Sequence, residues 1–347
     1  MLYPTNIINT KSLLSKYLTP EVFQELQYKK TSTGVKLHNI ITSGIIHPDS
    51  NIGVYAGDKE SYFLFRELFL PIIKEYHCLA EYVAHIQDVN VNKLTNLETL
   101  KESKYILSTR IRVARNLKNM PLASSLSPER RKDIEMKIVK VLNTLDDTFK
   151  GVYSSLNTIS IDKKNEFMRS KFIFSNEDKY LSSTQIFQNW PDNRGVFYNN
   201  DKDFFVWVNE EDHMRFIAVE KGGDIKNVFT RLFKGLSLLE NRLDFLYDQQ
   251  LGYISSCPSN LGTGMRASVH IILPFLSKNI KKLLEITDKY QMQIRGENGE
   301  HSTYSEVFDI SNRVRLGTTE VESIMLLNSC LIELINYEEE QSLKSKI

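Results

Sequence analysis

Apolar residues recur along this chain with two periods, and the change from one to the other predicts its organisation. Up to about residue 90 the period is helical. Thr19-Pro20-Glu21 reads as a helix start: a hydroxyl to cap, a proline at the first helical position, and an acid at the positive end. Tyr62, Phe63, Phe65, Leu68, Leu70, Ile72 and Ile73 fall on a roughly helical stripe over 60–76. Turn formers from Asp49 to Asp58 predict a loop between these helices. Residues 86–104 are polar and weakly periodic, so a boundary is expected there, dividing the chain into 1–90 and 91–347.

From Tyr105 the period becomes two. Tyr105, Leu107, Thr109, Ile111 and Val113 fall on one face of a predicted strand, and Ser108, Arg110 and Arg112 on the other. Phe204 to Val208 and Met214 to Val219 predict two more strands, joined by Asn209-Glu210-Glu211-Asp212-His213, and 266–273 predicts a fourth. Helices are expected after Ser127-Pro128-Glu129, after Asp224 (with Ile225, Val228, Leu232, Leu236, Leu239 and Leu243 on one stripe), over 277–290 and over 318–338. Strands separated by long helices, without a regular βαβ repeat, predict an α+β sheet domain.

Composition removes several function classes. Lys+Arg is 44 against Asp+Glu 43, a net charge of +1, so no global field draws in nucleic acid or an anionic membrane. No run of about 18 apolar residues predicts a membrane span. The N-terminus has no apolar core of the signal-peptide kind. Three cysteines, Cys78, Cys257 and Cys330, show no metal-ligand spacing and no disulfide framework. The reading is a reduced, cytoplasmic protein without a protein-bound metal.

Standard nucleotide motifs are missing: no G-x-x-x-x-G-K-[ST] and no G-x-G-x-x-G after a strand. Arginines offer another route to a polyphosphate. Arg110 and Arg112 share a strand face, Arg215 follows the acidic turn, Arg266 opens a strand whose same face carries Ser268 and His270, and Arg295 begins a turn-rich loop. A guanidinium fork matches phosphate oxygens, and several forks on one triphosphate would hold it for transfer. Taken singly, each arginine also reads as a surface ion-pair partner. Cys257 reads as a buried small hydrophobe or as a thiolate supported by Ser259 and nearby arginines. The run Glu210-Glu211-Asp212 reads as a solvated turn or as a carboxylate offered to a cation.

Read together, STRIRVARN, WVNEEDHMR, CPSNLGTGMRASVH and RGENGEH, with SNIGVYAGDKESY before them, resemble the phosphagen (guanidino) kinases over nearly the whole chain. The resemblance implies a small all-α N-terminal domain and a larger domain with an antiparallel β-sheet flanked by α-helices. It implies reversible transfer of the γ-phosphoryl group of Mg-ATP to a guanidino acceptor, with Mg held mainly by the phosphates, in a monomer or homodimer. It places Ser108, Thr109, Arg110, Ile111, Arg112, Lys171, Arg215, Arg266, Ala267, Ser268, Val269 and His270 at the nucleotide. Arg295, Gly296, Glu297, Asn298, Gly299 and Glu300 join them. Glu211, Cys257 and Glu300 become the catalytic and acceptor-binding groups, and Asn51, Ile52, Gly53, Val54 and Tyr55 the specificity loop.

Tyr55 and Glu300 agree with arginine as acceptor. Asn51 stands where that pattern usually has Gly, and Ala56-Gly57-Asp58 reads more like the creatine-kinase version. Creatine, taurocyamine, glycocyamine and lombricine therefore remain as alternatives. Lys171 stands where the family usually has His, which should change contact with the nucleotide.

Overall fold

The first helices begin where side chains cap them. Ser12 accepts a hydrogen bond from the Ser15 amide (3.1 Å) ahead of helix Leu13–Tyr17. Thr19 accepts from Val22 (3.3 Å) ahead of Pro20–Leu26, as its sequence predicts. The computed structural model describes residues 2–81, 84–296 and 306–345. The stretch expected as one helix over 60–76 is two, Ser61–Leu64 and Arg66–Tyr76, broken at the fully buried Phe65. Leu68, Phe69, Ile72 and Ile73 of the second are buried in the same core as Ile40 and Ile41 of helix Leu37–Ile46.

The rest of the chain is organised by strands β1 (Ile106–Arg115), β2 (Gly151–Ser155), β3 (Gly195–Asn199), β4 (Phe204–Val208) and β5 (Met214–Lys221), then a small hairpin of β6 (Tyr247–Asp248) and β7 (Gly252–Tyr253), then β8 (Met265–Ile272), β9 (Met292–Gly296) and β10 (Val307–Asn312). All but the hairpin form one antiparallel sheet in the order β2-β3-β4-β5-β1-β8-β10-β9. A small helical N-terminal domain thus precedes a larger sheet domain with helices, the α+β class expected.

The two faces of the sheet differ. One carries Ile111, Val113, Phe216, Ala218, Val269, Ile271, Phe308 and Ile310, all fully buried. Helix Ile225–Glu240 packs on it through Ile225, Val228, Leu232, Leu236 and Leu239, each such side chain worth about 1.5–3 kcal/mol on burial. Asp224 caps this helix through the Asn227 amide (3.0 Å). Helix Glu320–Lys344 covers the β8–β10 side and is opened by a reciprocal Thr319–Glu322 capping box.

The expected phase of β1 holds from Thr109 to Val113 but not at its start. A register shift between Ile106 and Ser108 buries Ile106 and leaves Leu107 43% exposed. A bulge changes which face the following residues take.

The opposite face is apolar only at the β2–β5 end. There Phe205, Trp207 and Ile217 pack with Phe167, Ile173 and Phe174. Toward β1 and β8 that cover is missing, and polar residues take the face.

Candidate active site

Strand register brings the arginines together. β1 and β8 pair so that Ser108 faces His270, Arg110 faces Ser268 and Arg112 faces Arg266. β5 sets Arg215 opposite Ala114, diagonal to Arg112. β10 adds Asp309 opposite His270, and β9 adds Arg295 opposite Asp309. Because side chains alternate along a strand, these pairings deliver five arginines from four strands to one face. Arg295, expected in a loop, lies on β9 (Met292–Gly296) instead.

Arg110, Arg112, Arg215 and Arg295 line a cleft of about 770 Å³ with Lys171, Glu211, Cys257, Asn51, Ile52 and Tyr55. Arg266 is buried beside it, its Nη2 donating to Asp309 Oδ2 (2.6 Å) and its Nε to Ser311 Oγ (3.1 Å). Despite burial, Arg266 holds the Asp309 carboxyl below its ordinary range. The side chains of Thr109, Ile111, Ala267 and Val269 occupy the apolar face, where Thr109 Oγ1 donates to the Gly222 carbonyl (2.8 Å). They turn away from the cleft that the expectation gave them, because alternation hands every second residue of a strand to the core. Glu297, Asn298, Gly299 and Glu300 lie outside the described residues.

The arginine side of the cleft is short of anions. Burial, then Arg266 and Arg215, pushes the Arg110 guanidinium down to about 10. Arg112 is pushed well below the arginine range by burial and the same crowd. Arg110 and Arg215 both stack against Trp207, at 5.3 and 5.8 Å from its ring centre. Trp207 Nε1 donates to the Phe172 carbonyl (2.7 Å), which ties down the segment after Lys171.

The acidic turn after β4 supplies the other side. Arg215 bridges both halves, with Nη1 on Glu210 Oε1 (2.7 Å) and Nη2 on Glu211 Oε2 (2.8 Å). Burial opposes its charge, but Glu210, Glu211 and Asp212 hold the guanidinium above the arginine range. Asn260 Nδ2 donates to Glu211 Oε2 (3.5 Å).

Cys257 lies in the same pocket, its Sγ 3.1 Å from Ser259 Oγ. Of the two readings of this cysteine, the ligand-free cleft favours the buried thiol over the thiolate. Burial, then Glu211, pushes the thiol up to about 12, and Ser259 and Arg315 only partly oppose this. A local sequence shows the hydroxyl and the arginines but not the burial.

The loop before Tyr55 is built into the fold. The Leu13 and Leu14 amides donate to the Asn51 and Ile52 carbonyls (2.9 and 3.0 Å), and the Gly53 amide donates to Ser50 Oγ (3.1 Å). Gly53 takes φ 81°, and a Cβ there would come within 2.9 Å of Leu14 Cβ, so glycine is required. Asn51, Ile52 and Tyr55 face the cleft, whereas Val54 is fully buried. Burial, then Cys257 and Glu211, push the Tyr55 hydroxyl well up, and all three residues line the one cleft.

Arg313, Arg315, Trp207 and Glu210 line the cleft as well and carried no separate role in the sequence reading. Asn312-Arg313-Val314-Arg315 repeats the arginine-x-arginine spacing of Arg110 and Arg112, and that was the available signal. Arg315 Nη1 donates to the Ser259 carbonyl (2.9 Å) and to Asn260 Oδ1, buttressing the cysteine segment. Gly262 in that segment takes φ 83°, and a Cβ would meet the Arg315 carbonyl at 2.1 Å. Among the described residues no three His, Cys, Asp or Glu side chains gather as a metal site. No helix among them is long and apolar enough to cross a membrane.

This arrangement, with cationic forks on one side and an acid–thiol nest on the other, suits a polyanion facing a cation. The profile of the ATP:guanido phosphotransferase N-terminal domain matches residues 8–74, and that of the C-terminal catalytic domain matches 133–341. An arginine kinase of Anthopleura japonica is 42% identical over 97% of this chain, which spans 48% of that relative. The arginine kinase Lit v 2 of Penaeus vannamei is 40% identical over 95% of this chain and 93% of its own length. Among solved structures, a lombricine kinase superposes with TM-score 0.89 at 35% identity, over 98% of this chain and 94% of its own. The substrate-free duplicated taurocyamine kinase of Schistosoma mansoni gives 0.88 at 33%, over 96% and 48%. With both domain profiles matched in order and the arginine face, acidic turn and cysteine segment converging on one cleft, the chain belongs to the ATP:guanido phosphotransferase family, the phosphagen kinases.

Proposed function

We propose that this phosphagen kinase transfers the γ-phosphoryl group of Mg-ATP reversibly to arginine, giving phosphoarginine and ADP. The observation that carries the reading is the Arg215 bridge. One guanidinium touches the carboxylate of Glu211 and stands in the row of Arg110, Arg112 and Arg295, so acceptor and phosphate are brought within reach of one rigid group. Arginines hold the triphosphate, with Mg²⁺ carried on its oxygens and neutralising charge as it shifts to the leaving phosphate. Glu211 orients the acceptor guanidinium. As its nitrogen forms the N–P bond and the bond to the bridging oxygen of ADP breaks, Glu211 accepts the departing proton. Glu300 is proposed as the second carboxylate. Cys257 enters as a neutral thiol, and an arriving cation lowers its pKa by the same Coulombic logic that Glu211 raises it. Positioning and preorganised charge supply most of the rate. Residues 1–90 would form the acceptor-selecting unit and 91–347 the catalytic one.

Support for arginine comes from Tyr55 lining the same cleft as Glu211 and Cys257 and from the names of the curated relatives. A second reading, another guanidino acceptor, is favoured by Asn51 in the cleft wall and by the lombricine and taurocyamine kinases among the structural neighbours. Ala56-Gly57-Asp58 weighs less than its sequence suggests. Asp58 is buried, accepting from the Ser61 amide and hydroxyl (both 2.7 Å) and from Thr31 (2.7 Å), so it shapes the loop and caps a helix. ADP release should be measured with arginine, creatine, taurocyamine, glycocyamine and lombricine in turn. The highest kcat/KM is expected with arginine; a higher value with another acceptor selects the second reading, and no turnover at all rejects the activity.

A further inference from the structure

The three segments that present side chains to the acceptor are joined one residue behind those side chains. Asp212 follows Glu211, Ser256 precedes Cys257 and Ala56 follows Tyr55. The Ser256 amide donates to Asp212 Oδ1 (2.9 Å), the Ser256 hydroxyl donates to the Glu211 carbonyl (3.1 Å), and the Ala56 amide donates to the Ser256 carbonyl (2.8 Å). Asn116, at the end of β1, locks the knot from below. Its Nδ2 donates to Asp212 Oδ1 (2.7 Å) and to the Ile254 carbonyl (3.0 Å), and its Oδ1 accepts from the His213 amide (2.9 Å). Asp212 and Asn116 are each 1% exposed.

Asp212 is a costly way to make this joint. Its Oδ2 is buried and accepts no hydrogen bond among the described residues, and a buried carboxylate oxygen without a donor is destabilising. Residues that break a local stability rule without a gain elsewhere in the fold point to function.

Resting on the phosphotransfer reading above, we propose that Asp212, supported by Asn116, is a positioning residue. It fixes the separation of Glu211, Cys257 and Tyr55 and so sets the width of the nest that receives the guanidinium. It does not itself touch acceptor or nucleotide. Misplacing a reacting group by about 1 Å costs up to about 10²-fold in rate, so a joint holding three such groups governs turnover far more than nucleotide binding.

The test uses the full-length protein and three variants: Asp212→Ala, which removes the acceptor oxygen; Asp212→Asn, which keeps an oxygen for Ser256 and Asn116; and Ser256→Ala, which removes only the hydroxyl bond to Glu211. Turnover with the acceptor the wild type uses best, acceptor KM, ADP affinity by calorimetry and Tm are read for each. A second readout needs no turnover: the alkylation rate of Cys257 by iodoacetamide, followed by peptide mass spectrometry. In Asp212→Ala, kcat is expected to fall about 10–100-fold while ADP affinity stays within about twofold. Cys257 alkylation should rise severalfold, and Asp212→Asn should recover most of both. Ser256→Ala should show a smaller loss of the same kind, and it stands in for Asp212→Ala if that variant does not fold. Wild-type kcat and alkylation in both alanine variants would overturn the proposal. So would losses of turnover, ADP affinity and Tm in parallel, or an asparagine variant no better than alanine. Absence of wild-type turnover with every acceptor would reject the phosphotransfer reading instead, and the alkylation rates would still decide whether Asp212 holds the joint.

Discussion

The two halves of the cleft carry opposite charges, and each is crowded with its own kind. On the phosphate side burial and neighbouring arginines push Arg110 down to about 10 and Arg112 well below the arginine range. On the acceptor side burial and then Glu211 push Asp212 up to about 7 and Cys257 up to about 12, and burial raises Glu210. Each half resists its own charge until the opposite charge arrives. Arg215 stands between them and is raised by its acidic neighbours, because it touches both Glu210 and Glu211. The difference teaches that the ligand-free site is arranged for its ligands at the expense of its own stability, the usual trade where activity needs preorganised charge.

Removing charge from each half separates these roles. Glu211→Gln should have the largest effect, lowering turnover about 10²–10⁴-fold as the proton acceptor is lost. ADP binding, which belongs to the other half, should hardly change; a parallel loss of ADP affinity in calorimetry would break the division. Arg215→Ala should be the largest blow to stability, about 3–5 kcal/mol by urea unfolding, because it strands the buried Glu210 carboxylate. Adding Glu210→Gln should recover much of that, and no recovery would mean that Arg215 acts through packing on Trp207. Arg112→Met should lower kcat about 10²–10³-fold through loss of one preorganised donor to the transferring group. The same variant should melt higher than wild type without nucleotide, since it relieves a like-charge crowd; a lower Tm would show that Arg112 is held by partners rather than waiting for an anion.

Much of this division is legible in the sequence. Arg110 and Arg112 stood out because a period of two puts them opposite Ile111 and Val113, and Arg215 and Arg266 sat in strands with the same alternation. Arg295 was read in a loop because Gly296 and the residues after it are turn formers, although the strand ends only there. β10 went unseen for a related reason. Its residues on the arginine face, Asp309 and Ser311, are polar partners of Arg266, so a strand half committed to the site lacks the apolar run that marks one. β2 and β3 are short and carry Gly151 and Gly195, which weaken the signal further. Register was beyond reach: nothing local says that Arg112 lies opposite Arg266. Burial was also beyond reach, which is why the sequence leaves Cys257 between buried hydrophobe and thiolate and the run holding Asp212 between solvated turn and cleft carboxylate.

The smallest effect compares the acceptor half with histidines outside it. His77, His85 and His213 are each pushed from 6.5 to about 4, first by burial. His77 shows why. Its Nε2 donates to the Pro258 carbonyl (2.9 Å), while its Nδ1 accepts from the Arg315 and Leu316 amides (both 3.3 Å) and so has no room for a proton. Between pH 6.5 and 4 the unfolded chain binds protons at these rings and the native protein does not. Their stabilisation is therefore complete above pH 6.5 and is lost as pH falls toward 4, on the order of 2 kcal/mol each at pH 5. Asp212 has the opposite sign. Its carboxyl is raised from 3.8 to about 7 by burial and Glu211, against Asn116, Ser256 and Arg215. In the same window the native state holds a proton that the unfolded chain has released, so acidification from pH 7 favours folding at this position. Asp212→Asn deletes that term and leaves the histidines. Urea unfolding at pH 7.5 and pH 5 should then show the variant losing more stability on acidification than the wild type, by about 2 kcal/mol. Equal losses in the two proteins would mean that Asp212 is ionised across the range, and the acceptor half would be less crowded with negative charge than its geometry implies.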